Sequence, residues 1–207
     1  MQTLIDLSHP FTDLMPVYPG DDPPRLTRVN DLIHDGFNNF RITASMHIGT
    51  HIDGPMHLTL SEKYLEEIPA EQFIGEGCVL DGSGKSHLLP LPEYNTLIRP
   101  RSIVVLYTGM SRFFGTDEYF TAHPIVSREL AQVFVDKKVK MVCLDSPSPD
   151  RHPYEIHKFL LKHHVLLAEN LTNCDKLLTV RTFEILALPL KIRADSSPAR
   201  IIARIRE

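Results

Sequence analysis

Tryptophan is absent from this 207-residue chain, and cysteine occurs only three times. Cys78, Cys143 and Cys174 lie far apart, with no CxxC pair and no even-numbered set, which excludes a disulfide framework. They read as reduced thiols of a cytoplasmic protein, Cys143 within VKMVCL as a small buried hydrophobe. No apolar run approaches the ~20 residues that a membrane-spanning helix needs. The first residues, MQTLIDLSHP, carry an acid at position 6 and no long apolar segment, so they do not read as a signal peptide. Positive charge is also in short supply. Twenty-two Lys and Arg face 26 Asp and Glu, a formal net charge of −4, which argues against nucleic acid or an anionic membrane as the main partner. The ARIIARIRE tail is locally basic but reads as a last strand with a solvated face. With no internal repeat, low-complexity tract or Gly/Ser linker, the expectation is one domain over 1–207, large enough to bury a substantial core.

Short apolar runs predict strands at TLIDL, at CVLD (78–81), SIVVLYTG (102–109), KMVCLD (140–145) and VLLAE (165–169). Ser127 is placed to cap a helix over 127–137 with Leu130, Val133 and Phe134 on one face. A second helix is predicted over 154–163, with Ile156, Phe159 and Leu160 inward. Strands interleaved with helices predict an α/β fold with a mixed sheet.

Histidine makes up 11 of the 207 residues, yet three of them fall within the eleven of HIGTHIDGPMH, His47 to His57. Over 40–58 the even positions are almost all apolar, whereas the odd ones include Arg41, His47, His51, Asp53 and His57. This period-two alternation predicts a strand with one buried face, so that the four chemical side chains at 47, 51, 53 and 57 point the same way. Two residues of strand rise about 6.6 Å and four about 13 Å. His51 and Asp53 can therefore share an ion at bond lengths of about 2.0–2.2 Å, while His47 joins them only if the chain bends. Gly49 stands where that bend costs least, and Gly54 with Pro55 can end the strand and return His57 to the site. Imidazoles beside a carboxylate suit zinc, and also manganese or iron. Distal candidates are His157 on the second helix and Glu169 at the end of VLLAE. Each also reads blandly, as a solvated helix face or a strand-end carboxylate, and His163 and His164 compete with His157.

These residues resemble the cyclase family of metal-dependent hydrolases, which includes bacterial kynurenine formamidases and isatin hydrolases. The family's HxGTHxDxPxH signature is met at all seven specified positions from His47 to His57. The similarity continues in Asp6-Leu7-Ser8, Tyr18-Pro19-Gly20-Asp21, Leu106-Tyr107-Thr108-Gly109, His157, Glu169-Asn170-Leu171 and Ser197-Pro198-Ala199-Arg200. The resemblance implies a swivelling β/β/α fold with a mixed, partly barrel-like sheet, assembled as a homodimer or homotetramer. It implies that His47, His51 and Asp53 bind one metal, that Asp53 and Glu169 bridge to a second, and that His157 completes it. Up to two divalent ions per chain follow, zinc first and manganese as the alternative. His57 becomes the general acid/base.

The implied reaction is hydrolysis of a small amide, formamide or cyclic amide, an arylformamidase-like activity. One departure bears on the substrate. Where the family's formamidases commonly carry a pocket-lining tryptophan, this chain has Tyr18, which keeps an aromatic face without singling out N-formylkynurenine. Two other readings stand beside this one. A two-His-one-carboxylate iron oxygenase would use His51 and Asp53 but leave His47 and His57 idle. A non-enzymatic structural metal module would ordinarily be closed by four ligands, often thiolates, and none lies in the motif.

Overall fold

The computed structural model describes residues 3–206. Its main sheet contains β1 (Leu4–Asp6), β4 (His51–Asp53), β5 (Ile74–Asp81), β7 (Ile103–Tyr107), β9 (Met141–Leu144), β10 (Leu166–Glu169), β11 (Phe183–Pro189) and β12 (Ser196–Ile205). The order is β1-β12-β11-β5-β7-β9-β10-β4, and β4 pairs back onto β12, closing seven of the strands into a ring. β5, β7, β9 and β10 run parallel, whereas β4, β11 and β12 are antiparallel to their ring neighbours. The implied fold, α/β with a barrel-like mixed sheet, is the one observed.

β7 (IVVLY) and β9 (MVCL) are continuous apolar runs because both of their faces are covered. Along β7 and β9, Ile103, Val105, Met141 and Cys143 turn into the ring, against Ile185, Ala187, Ile201 and Ala203 from β11 and β12. Their neighbours Val104, Leu106, Val142 and Leu144 turn outward beneath helices α4 (Arg128–Asp136) and α5 (Glu155–Lys162). The Ser127 hydroxyl accepts the Leu130 N–H at 3.1 Å, the cap expected from the sequence. Leu130, Ala131 and Phe134 form the buried face of α4, with Val133 at its margin. Burial of Phe134 alone contributes about 1.5–3 kcal/mol. Shorter helices α1 (Leu32–Asp35), α2 (Tyr94–Leu97) and α3 (Asp117–Thr121) lie in the connections, as does the parallel pair β6 (His87–Leu88) and β8 (Ile125–Val126). Across β5 and β11, a Cβ on Gly77 would come within 2.2 Å of the Phe183 ring, so glycine is needed there for the strands to approach.

The long strand expected over 40–58 does not exist. β3 (Asn39–Thr43) pairs with β2 (Arg25–Asn30) as a separate hairpin, residues 44–50 are irregular, and β4 is three residues long. Phe40 and Ile42, expected inward by parity, are 52% and 62% exposed. The physical reason is that alternation marks a shared face but not a covering layer, and among the described residues no layer buries β3, all five of whose residues are exposed. Ile48 and Ile52 are buried as expected, whereas Met56 and Leu58 are half-buried. All three cysteines are free thiols. No helix among the described residues is long and apolar enough to cross a membrane.

Candidate metal centre

The site is built on the shortest ring strand. β4 lies between β10 and β12, with His51 opposite Glu169 on one side and Asp53 opposite Ser196 on the other. Antiparallel register of this kind brings facing side chains within about 4.5–5.5 Å at Cβ, and it delivers Glu169 to the motif from 118 positions away. His47 reaches the same point because the chain turns at Gly49, whose φ of +56° lies in the left-handed region. A Cβ there would also come within 2.7 Å of the Met15 side chain. The turn is tied down by Asn170, directly after Glu169. Its Nδ2 donates to the Gly49 carbonyl at 2.9 Å, and its own carbonyl accepts the Thr50 hydroxyl at 2.6 Å. The Tyr119 hydroxyl fixes the Asn170 amide by donating to Oδ1 at 2.7 Å.

Asp53 is the hub, and it is 0% exposed. Its Oδ1 lies 2.9 Å from His47 Nδ1, without hydrogen-bond alignment, and 3.4 Å from His51 Nε2. Its Oδ2 lies 3.2 Å from His157 Nε2. Glu169 approaches His51 Nε2 at 3.5 Å and His157 Nε2 at 3.8 Å. Two sets of potential ligand atoms each gather within 4.8 Å, His47/Asp53/His57 and His51/Asp53/Glu169, and they share Asp53. All six sequence-predicted polar residues are thus brought together. His163 points elsewhere, its Nδ1–H donating to the Phe159 carbonyl at 2.8 Å, and His164 is exposed.

The donors fit a divalent cation. His51 Nε2, Asp53 Oδ1 and Glu169 Oε1 are buried with no hydrogen-bond partner. Leaving such atoms unpaired costs about 1–3 kcal/mol each, a cost that coordination removes. The imidazoles are also presented correctly, since each has its second nitrogen engaged away from the hub. His51 Nδ1–H donates to the Gly49 carbonyl at 2.8 Å, and His47 Nε2–H to Asp195 Oδ2 at 2.7 Å. His157 Nδ1 lies 3.4 Å from the Ser148 hydroxyl. Outer-shell contacts of this kind set tautomer and ring angle in metal sites.

Charge is concentrated here. Burial alone would lower the pKa of His47 and His157, but carboxylates outweigh it and hold both at about 10: Asp195 and Asp53 act on His47, Asp150 and Asp53 on His157. Burial and the charge on Asp53 push Glu169 up to about 7. Burial opposes ionisation of Asp53 as well, yet His51, His157 and His47 keep it well below the ordinary carboxylate range. Two close buried carboxylates split in this way, one staying ionised and the other taking up a proton more readily.

Above the cluster opens a cavity of about 290 Å³ with Val17, Tyr18, Leu58, Phe114, Phe120 and Tyr154 in its walls. The Tyr18 and Tyr154 hydroxyls lie 3.4 Å apart, and this contact, with burial, pushes the Tyr18 phenol up to about 12. Phe120 meets the Tyr18 ring edge-on at 5.9 Å. Sequence reasoning missed Phe114, Phe120, Tyr154, Ser196 and Asp195. The one signal for the last two was their position just before Ser197-Pro198-Ala199-Arg200. The Leu106-Tyr107-Thr108-Gly109 segment has a structural part: buried Asp145 accepts the Thr108 and Gly109 N–H groups, both at 2.8 Å, and anchors the end of β7.

Comparison with known proteins identifies the family. Residues 5–151 match the Cyclase family model, described as "Putative cyclase". An uncharacterised protein of Methanocaldococcus jannaschii is 34% identical over 190 residues, covering 90% of this chain and 91% of that one. The kynurenine formamidase of Bordetella petrii is 31% identical over 214 residues, covering 99% of each. Among solved structures, isatin hydrolase A of Labrenzia aggregata bound to benzyl benzoate superposes with a TM-score of 0.87 at 24% identity. That match covers 100% of this chain and 94% of the other, a likeness of fold. The chain belongs to the cyclase family of metal-dependent hydrolases.

Proposed function

We propose that the protein hydrolyses a small amide or formamide carried on an aromatic or planar group, an arylformamidase-like reaction at a carbon–nitrogen bond outside peptides. The observation that carries this reading is the set of buried, unpartnered donors converging on Asp53 beneath an aromatic-walled cavity. His47, His51, Asp53, His157 and Glu169 are the proposed ligands for up to two divalent ions, with Asp53 shared; zinc is the first candidate and manganese the second. When bound, such an ion supplies Lewis-acid polarisation of the substrate carbonyl and activation of water at neutral pH.

The protein's own groups do the rest. Tyr18, Phe114 and Phe120 hold a flat substrate ring by stacking and edge contacts and exclude bulk water. His57 lines the same cavity and is the proposed carrier of the proton from attacking water to leaving nitrogen, a task suited to an imidazole. The oxygenase alternative leaves His47 and His57 without work, whereas both stand in the cluster. The B. petrii relative bears the name kynurenine formamidase, and Tyr18 widens the candidate substrates beyond N-formylkynurenine. A homodimer or homotetramer is proposed on the β2–β3 hairpin, whose Phe40 and Ile42 are open to burial against a second copy. Three free thiols support a cytoplasmic location.

The test is a panel of N-formylkynurenine, formanilides, isatin and cyclic imides, each assayed with defined zinc or manganese. Metal-dependent hydrolysis of an aryl formamide or cyclic amide is expected. No turnover of any member with either metal refutes the reading.

A further inference from the structure

Asp195 lies in the loop entering β12, outside the signature and 148 positions from His47. Its side chain meets two of the histidines at once. Asp195 Oδ2 accepts His47 Nε2–H at 2.7 Å and lies 3.4 Å from His57 Nδ1. The two ring centroids stand 3.9 Å apart, and one carboxylate oxygen spans the pair, hydrogen-bonded to His47 and within ion-pair range of His57. The Asp195 backbone carbonyl also accepts the Gly54 N–H at 2.8 Å, pinning the chain between Asp53 and His57. Ser196 adds a contact, its hydroxyl 2.9 Å from His47 Nε2.

A neutral imidazole carries a single N–H, and a carboxylate can only accept. Asp53 is a second acceptor, 2.9 Å from His47 Nδ1, so with an ion in place between them an Asp195 carboxylate would keep the one remaining His47 proton on Nε2 and leave the Nδ1 lone pair for that ion. By the same rule the longer approach to His57, 3.4 Å, favours its proton on Nδ1 and its lone pair on Nε2. The two histidines are held in opposite tautomers, as their different tasks require. We propose that Asp195 is a positioning residue that joins the two halves of the site, orienting His47 as a metal ligand and His57 as the acid/base. The His57 half rests on the hydrolase reading above, and the His47 half does not.

The test is Asp195→Asn, alone and combined with His57→Ala. Asparagine has the same shape and keeps the backbone carbonyl that receives Gly54, so the fold is retained; circular dichroism and Tm verify it. Zinc affinity, read by chelator competition without substrate, should fall about 10–100-fold, the usual cost of losing an outer-shell partner. At saturating zinc, kcat should fall on the order of 10²–10⁴-fold, the range of a positioned acid/base. In the His57→Ala background the same substitution should lower zinc affinity again but leave kcat where His57→Ala put it, because Asp195 acts on turnover through that ring. Unchanged zinc affinity in Asp195→Asn overturns the His47 half, even if no substrate is ever found. An equal kcat loss in both backgrounds overturns the His57 half.

Discussion

Replacing His57 by alanine separates proton transfer from metal holding. The His57 side chain is 26% exposed in the cavity, touches Asp195 at 3.4 Å and packs on His47 at 3.9 Å. Its removal leaves the close approaches of His51, His157 and Glu169 around Asp53 untouched. Bound metal and fold should therefore survive, with a stability loss of about 1 kcal/mol, typical of a partly exposed substitution. Turnover should fall by about 10²–10⁴, the contribution of a positioned acid/base, or about 2.7–5.4 kcal/mol at 1.36 kcal/mol per decade. His51→Ala supplies the contrast, losing metal and turnover together because a buried donor is gone. Metal content by elemental analysis beside turnover on the same preparations decides between the roles. If His57→Ala empties the site as His51→Ala does, His57 is a ligand, in keeping with its grouping with His47 and Asp53 within 4.8 Å, and the acid/base assignment fails.

Asp53→Ala should abolish binding of both ions, because its two oxygens face different histidines; a variant that keeps one ion per chain at full affinity refutes the shared role. Tyr18→Trp should raise activity toward aromatic formamides relative to aliphatic amides through the larger stacking face, and an unchanged ratio removes Tyr18 from the substrate wall. In chelator-treated protein, His47 and His157 are held at about 10 and Glu169 at about 7, all above their unfolded values. The stability they contribute is complete at low pH and is lost as pH rises, through Glu169 from about pH 4.5 to 7 and through the two histidines from about 6.5 to 10, so Tm should fall across about pH 4.5 to 10. Added zinc replaces those protons and should abolish the fall, whereas parallel curves with and without zinc contradict the assignment. Gly77→Ala should cost about 1–3 kcal/mol in urea unfolding through its clash with Phe183, and a neutral result refutes the close approach of β5 and β11.

What could be read from sequence was what lies close along the chain. His51, Asp53 and the Gly49 bend were legible because strand rise and glycine conformation are local properties. Ser127 and the buried face of α4 were legible for the same reason. Phe40 and Ile42 were misread because parity reports a common face while a covering layer is a tertiary fact. Spacing left His157, His163 and His164 in competition. The fold separates them by placing His157 on the buried side of α5 with Leu160 and Leu161. β11 went unmarked, its FEILALP run interrupted by Glu184 and closed by Pro189. Asp195 was passed over because its contacts come from the pairing of β12 with β4, and its one signal was its place just before Ser197-Pro198-Ala199-Arg200.

If Asp53 and its neighbours hold the ions used in hydrolysis, turnover must follow metal content. The direct measurement is metal stoichiometry and turnover on one sample, as purified, after chelation, and after readdition of zinc or manganese. Up to two divalent ions per chain are expected, with turnover lost with them and recovered on readdition while the fold persists throughout. Full turnover in protein containing no transition metal, unaffected by chelator, would contradict this expectation.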